Sequence, residues 1–329
     1  MLLAVDLGGT NTRMAVFAPP APSASLSDWT VRCFEQVSSQ AFRVQNLSTF
    51  LKANRSSFST IQGAGFSLAG PIQEDCCQLT NLGYTLQFSE IRSELAPIQS
   101  FSFVNDLVAT AHSLPILPVD NFVPLSPCAK EVQPELWPKA VLAPGTGLGQ
   151  SALLSDEYAL ATEGAHSDFA PTNAEQIRLL QHLLSQQDHV SYEHVLSGSG
   201  FSRLYSFFAY EDGYTGATPL PVEITQRALS GQVADDASRC WRTLALYISI
   251  LGAQAGNLAL QTLPHGGLYL GGGIVPHILP ALLEGRFLEA FYAKGRFRRL
   301  LEDIPVFVVT NERAALWGAA RLALLALHK

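Results

Sequence analysis

The sequence predicts an α/β fold made of two related halves, on three observations. An apolar hairpin turned by glycines opens each half, at Gly8-Gly9 and again at Gly145–Gly149. Apolar runs of strand length alternate with longer segments at helical spacing. Apolar residues fill 47% of the 329 positions and charged ones only 15%, which supports a sizeable core and argues against disorder. That length corresponds to roughly two domains. The duplication rests on the pattern of hairpins; no residue-level repeat is visible.

Taken in order, Leu2–Val5 reads as a strand, Gly8-Gly9-Thr10 as a tight turn and Met14–Phe17 as the returning strand. The segment Ala18–Ser27, rich in Pro, Ala and Ser, reads as a loop. Gln62–Leu68 is a strand closed by Ala69-Gly70-Pro71, and Ser100–Val104 is a short one. Leu107–Leu114 is a short helix that ends near Pro115 and Pro118. In the second half, Lys139–Ala143 and Ser151–Leu154 flank the loop Pro144–Gln150. Ala174–Gln186 predicts a helix whose apolar face is Ile177, Leu180, Leu183 and Leu184. Ser238–Leu263 is a long helix, Gly267–Leu270 a strand, Gly271-Gly272-Gly273 a turn and Ile274–Leu283 the helix after it. Ile304–Val309 is a further strand, and Ala314–His328 a final apolar helix.

The most apolar long stretch, Leu244–Leu263, carries Gln254, Asn257 and Gln261 together with Gly252 and Gly256. It predicts a buried core helix rather than a membrane span, with small residues that admit a close neighbour. The N-terminal apolar run is short and broken by Asp6, so it does not read as a signal peptide. A net charge of −7 disfavours nucleic-acid binding, which needs a basic footprint. A small anionic ligand stays compatible, because backbone N–H groups hold phosphate without net positive charge. The five cysteines are odd in number and contain no CxxC; the one close pair is Cys76-Cys77. Reduced thiols of a cytoplasmic protein are the expectation.

Five motifs carry chemistry. In Asp6-Leu7-Gly8-Gly9-Thr10-Asn11-Thr12-Arg13, glycines let backbone N–H groups face an anion, and Thr10 and Asn11 add side-chain donors. Asp6 has no evident basic partner; beside a polyphosphate such a carboxylate meets Mg²⁺, directly or through water. An ordinary hairpin turn is the other reading. Gly145-Thr146-Gly147-Leu148-Gly149 shares that physics; position 150 is Gln and no P-loop Lys follows, against dinucleotide and Walker-type motifs. Gly271-Gly272-Gly273 at a strand-to-helix junction admits either a flat ligand such as adenosine or close strand–helix packing. Asn105-Asp106 at a helix start is either a cap or a carboxylate that takes a proton from an attacking hydroxyl, kept ionised by the helix dipole. Glu163 and His166, with Glu193 further on, read as a surface loop or as partners for sugar hydroxyls; the HExxH pattern of a metal site is absent.

In this order the motifs resemble the bacterial-type glucokinases, a branch of the actin-like sugar kinases. The matching stretches are DLGGTNTR at 6–13, SLAGPI at 67–72, Thr80-Asn81, VND at 104–106 and GTGLG at 145–149. EGAHSDFAP at 163–171, YEHVLSG at 192–198, GGGIVP at 271–276 and KGRFRRLLEDIPVF at 294–307 complete the series. The resemblance implies a two-lobed actin-like ATPase fold, ribonuclease-H-like, with a mixed five-stranded sheet in each lobe, flanking helices and a central cleft. Residues 1–110 plus 312–329 would form the small lobe and 111–311 the large one. The implied reaction is ATP-dependent phosphorylation of D-glucose at the 6-hydroxyl, with ATP and Mg²⁺ and no resident metal site.

The same resemblance carries roles over by position. Asp6, Leu7, Gly8, Gly9, Thr10 and Asn11 match the first phosphate loop, and Gly145, Thr146 and Gly147 the second. Gly271, Gly272 and Gly273 match the adenosine side. Asp106 matches the catalytic base. Asn81, Asn105, Glu163, His166 and Glu193 match residues that hold the sugar. Family habit suggests a cytoplasmic homodimer, with neither nucleic acid nor membrane as partner. Ala165 stands where the family has a second glycine and Ser199 where it has proline; the added methyl at 165 is expected to adjust the sugar pocket. The segment Val309–Trp317 also departs from the family, lacking an Asp that some members carry there. A kinase for another hexose or an amino sugar, or a sugar-sensing regulator without catalysis, are the alternatives. The repressor-and-kinase branch is disfavoured, since its cysteine-rich zinc motif is missing.

Overall fold

The computed structural model describes residues 1–20, 28–79, 82–130, 133, 135–230 and 235–328. The first part of the chain forms β1 (Leu2–Leu7), β2 (Asn11–Ala18), β3 (Thr30–Ser38) and β4 (Gly63–Leu68). A small antiparallel meander follows, β5 (Ile72–Gln73), β6 (Cys76–Leu79) and β7 (Tyr84–Gln87), and then β8 (Ser100–Asn105). The later strands are β9 (Phe122–Pro124), β10 (Lys139–Pro144), β11 (Leu148–Leu153), β12 (Ala159–Thr162), β13 (Leu268–Leu270) and β14 (Val306–Val309).

Two mixed sheets result, in the orders β3-β2-β1-β4-β8 and β12-β11-β10-β13-β14-β9. Each begins with three antiparallel strands and continues with two parallel ones. The strand plan therefore repeats, as the two glycine-turned hairpins predict. The expectation of five strands in each lobe holds for the first sheet and fails for the second. There β9 adds a sixth strand, antiparallel to β14, as the chain returns along that open edge. Its Pro124 is tolerated because an edge strand does not need every N–H.

Burial on both faces explains why the strands read as unbroken apolar runs. All six residues of β1 are buried. Leu3, Val5 and Leu7 join the cluster under the helices Gln45–Ala53 and Phe88–Glu94, whereas Leu2 and Ala4 face the C-terminal helix Ala314–Ala326. The second sheet divides the same way. Leu268, Leu270, Val306 and Val308 share a core with the helix Asp235–Thr262, and Tyr269, Phe307 and Val309 face the opposite side.

That long helix is apolar and long enough to cross a membrane by composition, yet 78% of its most apolar window is buried within the protein. Its Gly252 and Gly256 back onto the carbonyls of Phe287 and Phe291, where a Cβ would stand 2.2 and 2.7 Å away. The close neighbour that its small residues admit is thus the helix Arg286–Tyr292. Two helical expectations need correction. In the helix Ala174–Leu184 the buried face is Gln176, Leu179 and Leu183, while Ile177 and Leu184 are exposed. Gln176 is drawn inward because its Oε1 accepts from both the N–H and the Oγ1 of Thr172. Ile274–Leu283 is not one helix but a 3₁₀ turn, Val275–Ile278, followed by Leu279–Leu282. Pro276 and Pro280 each lack the N–H that a continuous helix would use.

The hairpin loops of both sheets, the end of β8 and the end of β13 all open into the space between the sheets. The helix Asp106–Ser113 spans that junction, packed on the C-terminal helix and on β10 and β11.

Candidate active site

A cleft of about 610 Å³ lies between the sheets. Three glycine loops wall it. The first is closed by Gly8 N donating to Asn11 O at 3.1 Å, the second by Gly145 N donating to Gly147 O at 2.8 Å. The third, Gly271–Gly273, needs a glycine at its centre. Gly272 has φ +82°, and a Cβ there would stand 2.3 Å from Pro144 O. The second and third loops are therefore in direct contact. Gly8, Gly9, Thr10, Gly145, Thr146, Gly147, Gly271, Gly272 and Gly273 all line the cleft. Leu7 and Asn11 do not. Leu7 is buried in the apolar cluster under the first sheet, and Asn11 lies in β2 opposite Ser38.

Two carboxylates face this space. Asp6, at the end of β1, accepts from Ser67 Oγ at 2.8 Å and lies 3.4 Å from Arg13 Nη1. A basic partner was not expected for Asp6; the hairpin supplies one, because β1 and β2 pair Asp6 directly with Arg13. Burial raises the Asp6 pKa above the usual carboxylate range, against the opposing pull of Ser67 and Arg13. Arg13 Nη1 also donates to Glu312 O at 3.0 Å, which ties this loop to the start of the C-terminal helix.

Asp106 is the first residue of its helix, and Asn105 is the cap. The Leu107 N–H is shared, reaching Asn105 Oδ1 and Asp106 Oδ1 at 2.9 Å each. Asp106 Oδ2 makes no hydrogen bond among the described residues. The N–H groups at the helix start do lower the pKa of this carboxyl, as expected of a helix that keeps it ionised, but they are not the larger influence. Burial, joined by the charge of Asp6, outweighs the backbone N–H groups and pushes its pKa up to about 6. A carboxyl so placed is still mostly ionised at neutral pH and is a much better proton acceptor than an ordinary aspartate.

Glu163, His166 and Glu193 converge on the far wall. His166 Nε2 lies 3.8 Å from Glu163 Oε2, and its Nδ1 lies 4.0 Å from Glu193 Oε1. Neither separation is a hydrogen bond, so these groups keep their donors and acceptors for hydroxyls of a ligand. Glu193 also accepts from Leu148 N at 3.0 Å, and a Cβ on Gly147 would stand 2.5 Å from its Oε2. One carboxylate thus touches the second glycine loop and the wall that carries Glu163 and His166 together. Among the described residues no group of three His, Cys, Asp or Glu is arranged to hold a metal ion. Ala165 is buried in the core and does not line the cleft, so its methyl does not reshape the pocket as expected. Asn81 lies outside the described residues. Arg13 belongs to the first motif but has no role in the sequence reading, which also gives none to Gln150, His277 or the pair Asn311-Glu312; all of them line the cleft. For Arg13 the hairpin register was the available signal; Gln150 directly follows a motif already in view.

Known proteins resemble this chain along nearly its whole length. A model of the family described as glucokinase matches residues 3–326. The glucokinase of Synechocystis sp. is 34% identical over 354 aligned residues, which cover 97% of this chain and 96% of that one. The solved structure of a glucokinase from an Antarctic psychrotroph has a TM-score of 0.86 at 31% identity and covers 98% of both chains. The glucokinase of Balamuthia mandrillaris, solved in complex with glucose, shares the fold with a TM-score of 0.78 at 23% identity, covering 98% of this chain and 93% of that one. The shared fold is that of the actin-like ATPases. Matched along nearly its whole length by the family's model and by relatives above 30% identity, the chain belongs to the glucokinase family.

Proposed function

We propose that this chain transfers the γ-phosphoryl of ATP to the 6-hydroxyl of D-glucose in the cleft between its two sheets, with Asp106 as general base. The observation that carries the reading is the setting of Asp106. It is a half-buried carboxyl with a raised pKa and an unengaged oxygen, in the cleft that both phosphate-type loops and the hydroxyl-binding wall share. Phosphoryl transfer passes through a loose transition state, so positioning and charge neutralisation supply most of the catalysis. In this reading Gly9 and Thr10, and Thr146 and Gly147, offer backbone N–H groups to the phosphates, while Gly8 and Gly145 use theirs to close the two loops. Gly271–Gly273 takes the adenosine side. Asn105, Glu163, His166 and Glu193 hold the other sugar hydroxyls, and Asn81 belongs to the same set. Asp106 orients the 6-hydroxyl through Oδ2 and takes its proton late.

Magnesium fits the donor set of this cleft. Asp6 is a single buried carboxylate beside the first phosphate loop, and Mg²⁺ is commonly held by one or two carboxylates plus substrate phosphates rather than by an all-protein cage. The ion would supply charge neutralisation on the phosphates. Residues 1–110 with 312–329 form one lobe in this account and 111–311 the other. Closure of the lobes on glucose would exclude water, the competing acceptor. A homodimer in the cytoplasm completes the reading.

The test is a coupled ADP-release assay with Mg-ATP and a panel of hexoses, run on wild type and Asp106→Ala. Turnover of glucose that the variant loses by about 10²- to 10⁴-fold supports the reaction and the base together. Glucose binding by calorimetry without turnover of any hexose would instead make the protein a sensor and Asp106 a helix-start residue only.

A further inference from the structure

Lys294 opens the KGRF stretch, beyond the helix Arg286–Tyr292 and outside the cleft. Its ammonium turns back into the protein and donates to Ala253 O at 2.9 Å and to Asn257 Oδ1 at 2.5 Å. Asn257 passes the pattern on. Its Nδ2 donates to Gln254 Oε1 at 3.2 Å and to Tyr192 Oη at 2.9 Å. Gln254 Nε2 then donates to Gln150 Oε1 at 3.1 Å. Gln150 lines the cleft, and its Nε2 packs so tightly under the Glu163–His166 turn that a Cβ on Gly164 would stand 1.8 Å from it.

The series has one direction. An ammonium only donates, so Asn257 must turn its oxygen toward Lys294 and its amino group onward. The same choice is then forced on Gln254 and on Gln150. Amide side chains differ little in shape between their two flipped states, and here the charge at the far end decides between them. Gln254 and Gln150 are only 3% and 4% exposed, so a flipped amide would set donor against donor away from water. The Tyr192 branch reaches the residue next to Glu193, so both arms lead to the wall that faces the sugar.

We propose that Lys294 is a positioning residue for sugar recognition: it fixes the polarity of an amide relay through Asn257 and Gln254, so that Gln150 presents an N–H donor to the sugar side of the cleft and acts as a specificity-determining group. This rests on the glucokinase reading of the cleft. The relay does not touch the adenosine-side loop, so its loss should fall on the sugar and spare the nucleotide.

The experiment measures glucose KM, ATP KM and kcat, with glucose binding by calorimetry in the absence of nucleotide, for wild type, Gln150→Leu, Lys294→Met and the double variant. Each single variant should raise glucose KM and Kd about 5- to 50-fold, leaving ATP KM within about twofold. The double variant should be no worse than the more severe single one, since both act through one series. Where Lys294→Met fails to fold, Lys294→Met with Asn257→Leu replaces the polar pair by apolar groups of similar size, restores packing and should keep glucose KM raised. Unchanged glucose KM in folded Gln150→Leu overturns the proposal, as do parallel rises in both KM values or additive effects in the double variant. A wild-type protein that fails to turn over glucose strikes the underlying reading instead, a separate outcome.

Discussion

Asp106→Asn separates a catalytic carboxyl from a structural one, because the two roles predict opposite changes in stability. In the folded protein burial and Asp6 raise the Asp106 pKa to about 6 from 3.8. The native state therefore holds a proton that the unfolded chain releases between about pH 4 and pH 6. The contribution of this group to stability falls as pH rises through that window and stays low above it. The full span corresponds to about 3 kcal/mol, reduced to about 1–3 kcal/mol by water in the open cleft. Asn keeps an acceptor for the Leu107 N–H but never ionises, so the variant should be more stable than wild type at pH 8. For a chain of 329 residues that gain is a rise in Tm of about 2–4 °C, and at pH 5 it should shrink to roughly half. Catalysis should move the other way, with kcat down about 10²- to 10⁴-fold. Thermal melts at the two pH values, with the coupled assay at pH 8, make the comparison. A variant that melts lower than wild type at pH 8 would refute the reasoning and return Asp106 to the role of a helix start.

Two further changes act on the same cleft. Wild-type kcat/KM should lose activity as pH falls through about 6, and Asp6→Asn should move that limb to lower pH, because the charge of Asp6 helps to raise the Asp106 pKa. A pH–rate profile in which the limb stays in place would remove the coupling between the two carboxyls. Gly147→Ala puts a Cβ where Glu193 Oε2 now lies, 2.5 Å away, and displaces the carboxylate from Leu148 N. In the proposed reading Glu193 serves the phosphate loop and the sugar wall together, so KM for glucose and for ATP should rise together, by about tenfold or more; a rise confined to ATP would show that the carboxylate is not shared.

How far the fold could be read from the sequence depended on how each segment is buried. β1, β4, β10 and β13 lie in the middle of sheets with both faces covered, and their apolar runs declare them. β3 is the edge of the first sheet and mostly exposed, so Thr30–Ser38 carries no such run and went unread. β9 is a short edge strand ending in Pro124, a residue that argues against a strand, so the sixth strand is not legible in the sequence. The helix Ala174–Leu184 offered enough apolar residues for two faces; the choice between them was made by Gln176 and Thr172, polar residues that a hydrophobic pattern ignores.

The site divides along a different line. Glycine loops and the pair Asn105-Asp106 are contiguous in sequence, so their types and spacing point directly at phosphate and proton chemistry. What stayed hidden is pairwise and long-range. Glu193 meets Leu148 across 45 residues, Gln150 meets Gln254 across 104, and no local pattern encodes either contact. Arg13 is the instructive intermediate case. It lies seven residues from Asp6, within the same motif, and a hairpin turning at Gly8-Gly9 already pairs the two. Reading along the chain left Asp6 without a cation, whereas reading across the turn supplies one. The same holds for the Asp106 pKa. The helix start alone predicts a low value, and burial together with the charge of Asp6 makes it high. Asp6 in β1 and Asp106 just beyond β8 are far apart in sequence and are brought together by one sheet, so no local pattern encodes the coupling between them.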